Sequence, residues 1–270
     1  MLKTLINING KLIDLGTPKI MAIVNATPDS FYPESRLADN APAERAQKFI
    51  LEGADIIDIG ACSTRPGSTP PSEDEEWSRL QPVLKSIRQT LPDAIISVDT
   101  FRSNIAKHAV EDYGVNIIND ISGGMADTNM FDTICNLQVP YILTHNSPDH
   151  KNSIAEIIDY LQSRIYLLQN KGLKDIIIDP GLGFNKTLEQ NWHILSHLSE
   201  LKIFELPILI GLSRKSMLTK ILSISAEEAL NATTAADMAA LLSGANILRV
   251  HDVKETKQTI ILYNNYIKYI

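Results

Sequence analysis

Polar and charged side chains stand at the ends of eight short apolar runs that recur along this chain. Amides and carboxylates hydrogen-bond heterocycles, whereas guanidinium and ammonium groups bind phosphate. β-Branched runs that each stop in such a group are typical of a (β/α)₈ barrel, whose active site lies at the carboxyl ends of its strands. The polar residues that end or follow these runs are Asn25, Ser63, Thr64, Arg65, Asp99, Asn119, Asp120, His145, Asp179, Ser213, Arg214, Lys215, Arg249, His251 and Asp252.

The balance of charge indicates a small anionic ligand rather than a polyanionic partner. The net charge is −7 and the sequence has no basic tract, which argues against nucleic acid or an anionic membrane surface. Cations nevertheless gather at the predicted strand ends. They are Arg65, Arg214, Lys215 and Arg249, with His251 beside them. A chance gathering of these residues is the alternative.

Asp179 ends an apolar run, where a carboxylate is costly to bury without hydrogen-bond donors. Two kinds of partner are open. In one, a backbone turn through Pro180 and Gly181 supplies the donors. In the other, a ligand with two parallel N–H groups binds the carboxylate bidentately. Asp99 and Asn119, which end earlier runs, pose the same question.

Three loops after predicted strands are rich in hydroxyls and turn formers. Residues 25–31 read NATPDSF, residues 62–68 read CSTRPGS and residues 211–216 read GLSRKS. Hydroxyls and backbone N–H groups in such turns reach phosphate or carboxylate oxygens. Taken singly, each string more often marks an ordinary helix start, so the prediction depends on their combination.

The elements that must position these residues alternate between strand and helix. Strands are predicted over residues 20–25, 56–60, 95–99, 117–120, 141–145, 176–179, 208–212 and 247–252. Helices are predicted over residues 43–52, 73–91, 103–111, 129–136, 153–170, 188–198, 226–242 and 254–267. This alternation calls for a parallel sheet with crossover helices. Eight units after an N-terminal β-hairpin, turned at Asn9-Gly10, favour a (β/α)₈ TIM barrel formed by residues 1–270 as a single domain.

Length and composition fit one domain that works in the cytoplasm. The chain has 270 residues, of which 44% are hydrophobic, and no apolar stretch reaches the roughly 18 residues of a membrane span. The N-terminus lacks the apolar core of a signal peptide. Cys62 and Cys135 have neither metal-ligand spacing nor a disulfide framework, so we expect a reduced, cytoplasmic setting.

Several short strings follow one another along residues 21–256. They are MAIVNATPDSF at 21–31, IDIG at 57–60, STRPG at 63–67, SVDT at 97–100, IND at 118–120, DPG at 179–181, GF at 183–184, SRKS at 213–216 and RVHDV at 249–253. Taken in this order, they resemble the dihydropteroate synthase family of the folate pathway. Several strings in the correct order make the match specific. The family fold is a (β/α)₈ barrel. The family joins a dihydropterin methyl diphosphate to p-aminobenzoate and releases pyrophosphate.

The resemblance implies a pterin site at the centre of the rim. Asp179 would accept both N–H donors of the amidine-like edge of the pterin, and Asn119 and Asp99 would bind the rest of the ring. Lys215 would lie over the ring edge and reach O4 or N5. Asp99, Asp179 and Lys215 are therefore the expected catalytic residues, and Phe184 is assigned to substrate binding.

The resemblance also implies a diphosphate site that uses Mg²⁺ as cofactor. Asn25 would bind the Mg²⁺, since an amide oxygen is a hard ligand suited to this ion. Arg249 and His251 would bind the phosphates. These two residues alternate along the last strand, so both side chains are expected to face the barrel mouth.

The second substrate is implied to bind under the first two loops. Phe31 and Pro66 would sandwich the aminobenzoate ring, and Ser216 would hydrogen-bond its carboxylate. Thr64 and Arg65 would order the loops over the pyrophosphate. The family is usually dimeric, so the expected partners are the two small-molecule substrates and a second copy of the chain, without nucleic acid or membrane.

Several positions depart from the family pattern. Residues 32–36 read YPESR where the family usually has a glycine pair, and Cys62 stands where an acidic residue is frequent. THN at 144–146 replaces Met-His-Met, which predicts a more polar pocket wall, and Asn185 replaces a small residue. None of these positions is assigned to chemistry.

Two other functions are left open. A pterin-binding methyltransferase module of the same barrel class would share the pterin residues but not the STRPG and SRKS strings, which are present here. A non-catalytic homologue would show a degraded site, whereas all the assigned residues are retained.

Overall fold

The computed structural model describes residues 4–26, 41–62, 69–147, 149 and 152–269. The strands in this part of the chain are β1 Leu5–Ile8, β2 Lys11–Asp14, β3 Lys19–Asn25, β4 Ile56–Gly60, β5 Ile95–Asp99, β6 Ile117–Asp120, β7 Tyr141–Thr144, β8 Ile176–Asp179, β9 Leu209–Ile210 and β10 Ile247–Val250. The α-helices are α1 Ala41–Glu52, α2 Glu73–Thr90, α3 Ser103–Tyr113, α4 Met130–Leu137, α5 Ile154–Asn170, α6 Leu188–Ser196, α7 Ser216–Leu222, α8 Leu230–Ser243 and α9 Val253–Tyr266. Two 3₁₀ helices cover Leu198–Phe204 and Ile267–Tyr269.

The last eight strands form one parallel sheet that curls into a barrel. Their order is β8-β7-β6-β5-β4-β3-β10-β9. The two ends of this order meet where Ile178 and Ile208 form a parallel bridge, and the N–H of Ile178 donates to the carbonyl of Pro207 at 2.9 Å. The predicted (β/α)₈ barrel is therefore confirmed.

The predicted N-terminal hairpin is also confirmed. β1 and β2 pair antiparallel, and Asn9 and Gly10 both have positive φ, as a two-residue hairpin turn requires. Apolar hairpin side chains are buried against the inward-facing residues at the amino end of the barrel. This inner cluster consists of Ile6, Ile8, Leu15, Met21, Ile56, Ile117, Ile142, Ile177, Leu209 and Ile247. It fills the amino end and leaves the carboxyl end to polar groups.

The larger apolar cluster lies between the outer face of the barrel and the helices. Successive strand residues point to opposite faces, so β7 sends Ile142 inward while Tyr141 and Leu143 pack under the helices. Within the described ranges, no helix has both the length and the apolar character needed to cross a bilayer.

The predicted boundaries were wrong around the seventh barrel strand. The strand is limited to Leu209–Ile210, and the helix α7 that follows it was not predicted. α8 begins at Leu230 rather than at residue 226. The carbonyls of Ala226 and Glu227 accept hydrogen bonds from the Arg214 side chain, at 3.1 and 3.2 Å, so they lie outside the helix. α3 begins at Ser103, as predicted, and ends at Tyr113, two residues beyond the predicted end.

Candidate active site

Polar side chains meet at the carboxyl end of the barrel, one layer above the inner apolar cluster. They come from strands β4, β5, β6, β8 and β10 and from the loop after β9. We call this group the polar cup, and its members are Asp58, Asp99, Asn119, Asp179, Lys215 and Arg249. Inward-facing isoleucines two residues before Asp58, Asn119 and Asp179 belong to the apolar cluster, so strand alternation directs these three side chains inward as well.

Arg249 is the centre of the polar cup. Its Nε donates to Oδ2 of Asp58 at 2.6 Å, and its Nη2 donates to Oδ2 of Asp99 at 2.7 Å. These two carboxylates raise the pKa of Arg249 against the opposing effect of burial, so the guanidinium is always charged. Burial raises the pKa of Asp99 above its ordinary value, although Arg249 opposes the rise.

Asn119 and Asp120 are neighbours on β6 with different roles. Asn119 belongs to the polar cup, where its Nδ2 donates to Oδ2 of Asp58 at 3.2 Å. Asp120 points to the other face and accepts from the hydroxyl of Tyr141 at 2.7 Å and from the N–H of Ser122 at 2.7 Å. Asp120 is therefore a buried turn residue, and only Asn119 faces the cup.

Asp179 is 9% exposed and lies beside the cations of the cup. Its Oδ1 accepts from the N–H of Gly181 at 2.7 Å, which is the turn partner anticipated from the sequence. Burial raises the pKa of Asp179, whereas Lys215 and the Gly181 hydrogen bond lower it. One carboxylate offers about four lone-pair sites, so the turn leaves acceptor capacity for a ligand.

Lys215 lies between the β8 and β9 loops. Its Nζ donates to the carbonyl of Leu182 and lies 5.2 Å from the centre of the Phe184 ring. Burial lowers the pKa of Lys215 to about 8, and the charge of Asp179 opposes this effect. The structure therefore brings Lys215, Asp179 and Phe184 together.

His251 follows β10 directly and contacts the loop after β9. Its Nδ1 lies 3.1 Å from Oγ of Ser213, which also accepts from the His251 backbone N–H at 3.2 Å. Burial, followed by the charge of Arg249, lowers the pKa of His251 to about 4. The imidazole is therefore neutral near pH 7.

Asn25 ends β3 and pairs in register with Gly60 of β4. No cluster of three or more His, Cys, Asp or Glu side chains that could hold a metal occurs among the described residues. A protein cage for a metal is thus not formed there, but one amide oxygen suits Mg²⁺, which takes most of its ligands from water and phosphate. The donor set fits a magnesium ion that binds together with a diphosphate.

Arg214, one of the cations expected at the rim, is held by an acid and by backbone carbonyls. Its Nε and Nη2 bind the two oxygens of Asp252 at 2.9 and 2.8 Å, and its Nη1 donates to backbone carbonyls before α8. This bidentate pair neutralises the guanidinium. Arg214 therefore braces the loop that carries Lys215.

Five further residues were assigned to substrate binding from the family motifs. Ser216 is the first residue of α7 and is exposed. Phe31, Thr64, Arg65 and Pro66 lie outside the described residues. Their assignment stays a prediction.

Three groups near the cup were missed by sequence reasoning: the buried acids Asp58 and Glu76 and the half-buried Lys186. Asp58 lies inside β4 rather than at its end, and the only signal was an acid between isoleucines. Lys186 binds three backbone carbonyls near Asp179. Glu76 of α2 accepts from the hydroxyl of Thr100 at 2.7 Å and pairs with Arg102, which supports the backbone next to Asp99. Lys186 and Glu76 bind residues that are distant in the sequence, so no local sequence pattern marks them.

Two of the positions that depart from the family pattern bind each other. Nδ2 of Asn185 donates to Oδ1 of Asn146 at 2.8 Å, and Nδ2 of Asn146 donates to the carbonyl of Ile121 at 3.1 Å. The polar side chains therefore join the loops after β6, β7 and β8. Cys62 lies near Glu76, and burial, followed by this charge, raises the pKa of its thiol to about 12, so little thiolate is present near pH 7.

Comparisons with known proteins agree with this geometry. A family model described as pterin binding enzyme matches residues 21–251. A dihydropteroate synthase of Clostridium beijerinckii is 39% identical over 245 residues, which cover 88% of this chain and 90% of the relative.

Two solved structures extend the likeness to the fold. A dihydropteroate synthase from Clostridium difficile, crystallised in the presence of pteroic acid, has a TM-score of 0.87 at 36% identity, covering 93% of this chain and 97% of the other. A dihydropteroate synthase from Xanthomonas albilineans with 4-aminobenzoic acid has a TM-score of 0.91 at 32% identity, covering 97% and 98%. The likeness therefore extends over the whole barrel rather than over isolated motifs.

Proposed function

This chain belongs to the dihydropteroate synthases, a family of pterin-binding enzymes, and on that premise we propose how its polar cup performs their reaction. The enzyme is a transferase of folate biosynthesis. It condenses 6-hydroxymethyl-7,8-dihydropterin diphosphate with p-aminobenzoate to give 7,8-dihydropteroate and pyrophosphate. The observation that carries the site assignment is the convergence of Asp179, Lys215 and the Arg249 ion pairs at one end of the barrel.

The pterin ring binds in the cup by its amidine-like edge. Asp179 accepts its two parallel N–H donors, because a carboxylate matches such a pair bidentately. Asn119 and Asp99 hydrogen-bond the remaining polar atoms of the ring. Lys215 contacts the edge of the pterin ring and Phe184 contacts its face. In the structure Nζ of Lys215 lies 5.2 Å from the centre of the Phe184 ring.

The diphosphate binds beside Arg249 and His251. Nε and Nη2 of Arg249 are held by carboxylates, whereas its Nη1 has no partner among the described residues and is left for a phosphate oxygen. His251 is neutral before the substrate binds, since its pKa lies at about 4. A diphosphate would raise this pKa, and the imidazole would then donate to it as a cation.

Asn25 is the residue that would hold Mg²⁺. When bound, the ion neutralises charge on the diphosphate and on the departing pyrophosphate. The other oxygen ligands would come from the substrate and from water.

Bond breaking precedes bond making in this mechanism. The C–O bond to the diphosphate breaks with both electrons leaving on pyrophosphate, and the pterin methyl cation that remains is stabilised by its ring nitrogens. The carboxylates of Asp99 and Asp179 stabilise the positive charge. The aniline nitrogen of p-aminobenzoate then attacks the methylene carbon and loses a proton. No covalent protein nucleophile takes part.

The second substrate binds at the outer side of the cup. Phe31 and Pro66 sandwich its ring, Ser216 binds its carboxylate, and Thr64 and Arg65 order the first two loops over the pyrophosphate. These roles are supported by the family motifs alone.

The enzyme works as a cytoplasmic homodimer. Cys62 and Cys135 are both free thiols, which suits a reducing compartment. Exposed apolar side chains on late helices, such as Leu242 of α8, offer surface for a second copy. Sedimentation velocity at micromolar concentration tests the dimer, and a monomer there would contradict it.

The function is tested by the release of pyrophosphate from the pterin diphosphate. Release should require both p-aminobenzoate and Mg²⁺ and should yield dihydropteroate. Asp179→Ala should abolish pterin binding and turnover together, by a factor of about 10⁴, since removing the acceptor leaves two ligand donors unpaired. The alternative, a pterin-binding methyltransferase module, would release no pyrophosphate and would bind a methylated folate instead. Near-normal activity of Asp179→Ala would overturn the pterin assignment.

A further inference from the structure

Lys186 joins two loops of the barrel mouth through its ammonium group. Nζ donates to the carbonyls of Gly181 at 2.9 Å, His145 at 3.2 Å and Phe184 at 3.2 Å. His145 follows β7, whereas Gly181 and Phe184 belong to the loop after β8. A lysine has three N–H donors, and all three are used here.

The two loops approach each other closely, and the Lys186 ammonium binds carbonyls of both. A Cβ atom on Gly181 would lie only 2.0 Å from the carbonyl oxygen of His145. Carbonyl oxygens that converge on one point repel one another, and a charged donor between them offsets this repulsion. The Gly181 carbonyl also accepts from the N–H of Phe184 at 3.1 Å, so the ammonium of Lys186 acts mainly by joining the two loops.

The same loop carries the residues that face the pterin. Asp179 precedes it and is held by the N–H of Gly181, while Phe184 lies inside it. The carbonyl of Leu182, also in this loop, accepts from Lys215. The path of the loop therefore sets the positions of Asp179, Phe184 and Lys215 relative to one another.

We propose that Lys186 is a positioning residue of the synthase, whose ammonium fixes the loop after β8 so that Asp179 and Phe184 are oriented to bind the pterin. The inference rests on the proposed assignment of Asp179 to the pterin. It predicts an effect on the pterin substrate that p-aminobenzoate does not share.

Charge supports this role. Burial raises the pKa of Asp179, and the nearby cations Lys215, Lys186 and Arg249 lower it. Burial lowers the pKa of Lys186 to about 7, whereas the charge of Asp179 opposes this effect and favours the ammonium. Without the Lys186 ammonium, Asp179 takes up a proton at higher pH and loses part of its capacity to accept from the pterin.

The test compares Lys186→Met with the wild-type enzyme and with Lys107→Met, a matched change at an exposed lysine on α3. Lys186→Met should weaken binding of 6-hydroxymethylpterin at least about tenfold, since hydrogen bonds to a charged group are lost. The acid limb of pterin binding against pH should move to higher pH. The KM for p-aminobenzoate should stay within about twofold, and Lys107→Met should match the wild type.

A second variant separates positioning from misfolding. Lys186→Cys alkylated with 2-bromoethylamine carries an ammonium at almost the same distance from the backbone, and it should recover most of the pterin affinity. Wild-type enzyme treated in the same way controls for alkylation of Cys62 and Cys135. If Lys186→Met does not fold, Lys186→Gln replaces it, because the amide keeps two donors.

Three results would overturn the inference: an unchanged pterin affinity, an equal rise in KM for both substrates, or no recovery after alkylation. Asp179→Asn is measured in parallel. If Asp179→Asn keeps its pterin affinity, the proposed function of Asp179 fails. If it loses affinity while Lys186→Met keeps it, only the role of Lys186 fails.

Discussion

The guanidinium of Arg249 donates to Asp99 at 2.7 Å across two intervening strands of the barrel. The same group holds Asp58 at 2.6 Å through a different nitrogen. Arginine offers donors in a rigid fork, whereas lysine is a single point charge. One residue of β10 therefore sets the positions of two carboxylates on β4 and β5.

Replacing Arg249 should separate charge from geometry. Arg249→Lys keeps the charge but cannot bridge both acids, so we expect kcat/KM to fall about a hundredfold, or roughly 3 kcal/mol. Arg249→Met leaves two acids without their cation and should also lower the free energy of unfolding by about 3 kcal/mol. Lys171→Met, which breaks a surface pair with Asp132, should cost less than about 1 kcal/mol in urea unfolding. Equal losses for Arg249→Met and Lys171→Met would contradict this account.

Gly181→Ala should damage the site more than its backbone conformation alone explains. Gly181 has φ +68°, and an added Cβ would lie 2.0 Å from the carbonyl oxygen of His145. Gly114 has φ +61°, and a Cβ added there would have no other atom within 4 Å. Gly114→Ala should therefore cost only the left-handed conformation, about 1–2 kcal/mol. Gly181→Ala should lower the free energy of unfolding in urea by more than this and should also weaken pterin binding. Similar losses for both variants would disprove the close approach of Gly181 to His145.

The imidazole of His251 should change its charge when pyrophosphate binds. Its pKa lies at about 4 in the free protein because it is buried beside Arg249. We expect its NMR signal, assigned with His251→Gln, to show no titration between pH 5.5 and 8. Addition of pyrophosphate with Mg²⁺ should raise the pKa, since an anion stabilises the imidazolium. A titration curve that pyrophosphate leaves unmoved would argue against phosphate binding at His251.

Asp237 should make stability fall as pH rises. This residue of α8 is fully buried, and neither carboxylate oxygen has a hydrogen-bond partner among the described residues. Burial raises its pKa from 3.8 to about 7, with a further contribution from the charge of Asp252. Between these values the unfolded chain releases the proton while the folded protein keeps it, so unfolding becomes easier.

The comparison with Asp237→Asn isolates this contribution. Wild-type stability relative to the variant should decline between about pH 4 and 7 and level off above 7, with a total change of roughly 4 kcal/mol. Urea unfolding at several pH values gives the difference. A constant difference across this range would show that Asp237 is ionised in the folded protein.

Strand positions were predictable because β-branched runs and their polar ends mark buried parallel strands. Ile56–Gly60, Ile95–Asp99, Ile117–Asp120 and Ile176–Asp179 agree with the structure at both ends. The short helix α7 was missed because seven residues carry too little periodicity. The preceding strand, β9, was predicted too long, since it ends at Ile210. The residues after Ile210 leave the sheet and form the loop that carries Lys215.

Site residues could be predicted where they stand at the ends of strands. They could not be predicted where their role depends on contacts with residues distant in the sequence. Asp99, Asn119, Asp179, Lys215 and Arg249 were identified and lie together. Asp58 was overlooked because it stands inside its strand. Arg214 was overvalued because the sequence does not reveal that Asp252 binds it.

The N-terminal hairpin has a consequence for substrate traffic. Ile6, Ile8 and Leu15 seal one end of the barrel, and Leu15 is tied to β10 by a bond from Asn246 at 2.9 Å. In the part of the chain that the structure describes, this leaves the carboxyl end of the barrel as the entrance for both reactants and the exit for both products. The ligand that sits deepest has to arrive before its companion, and the pyrophosphate must leave past whatever still occupies the entrance.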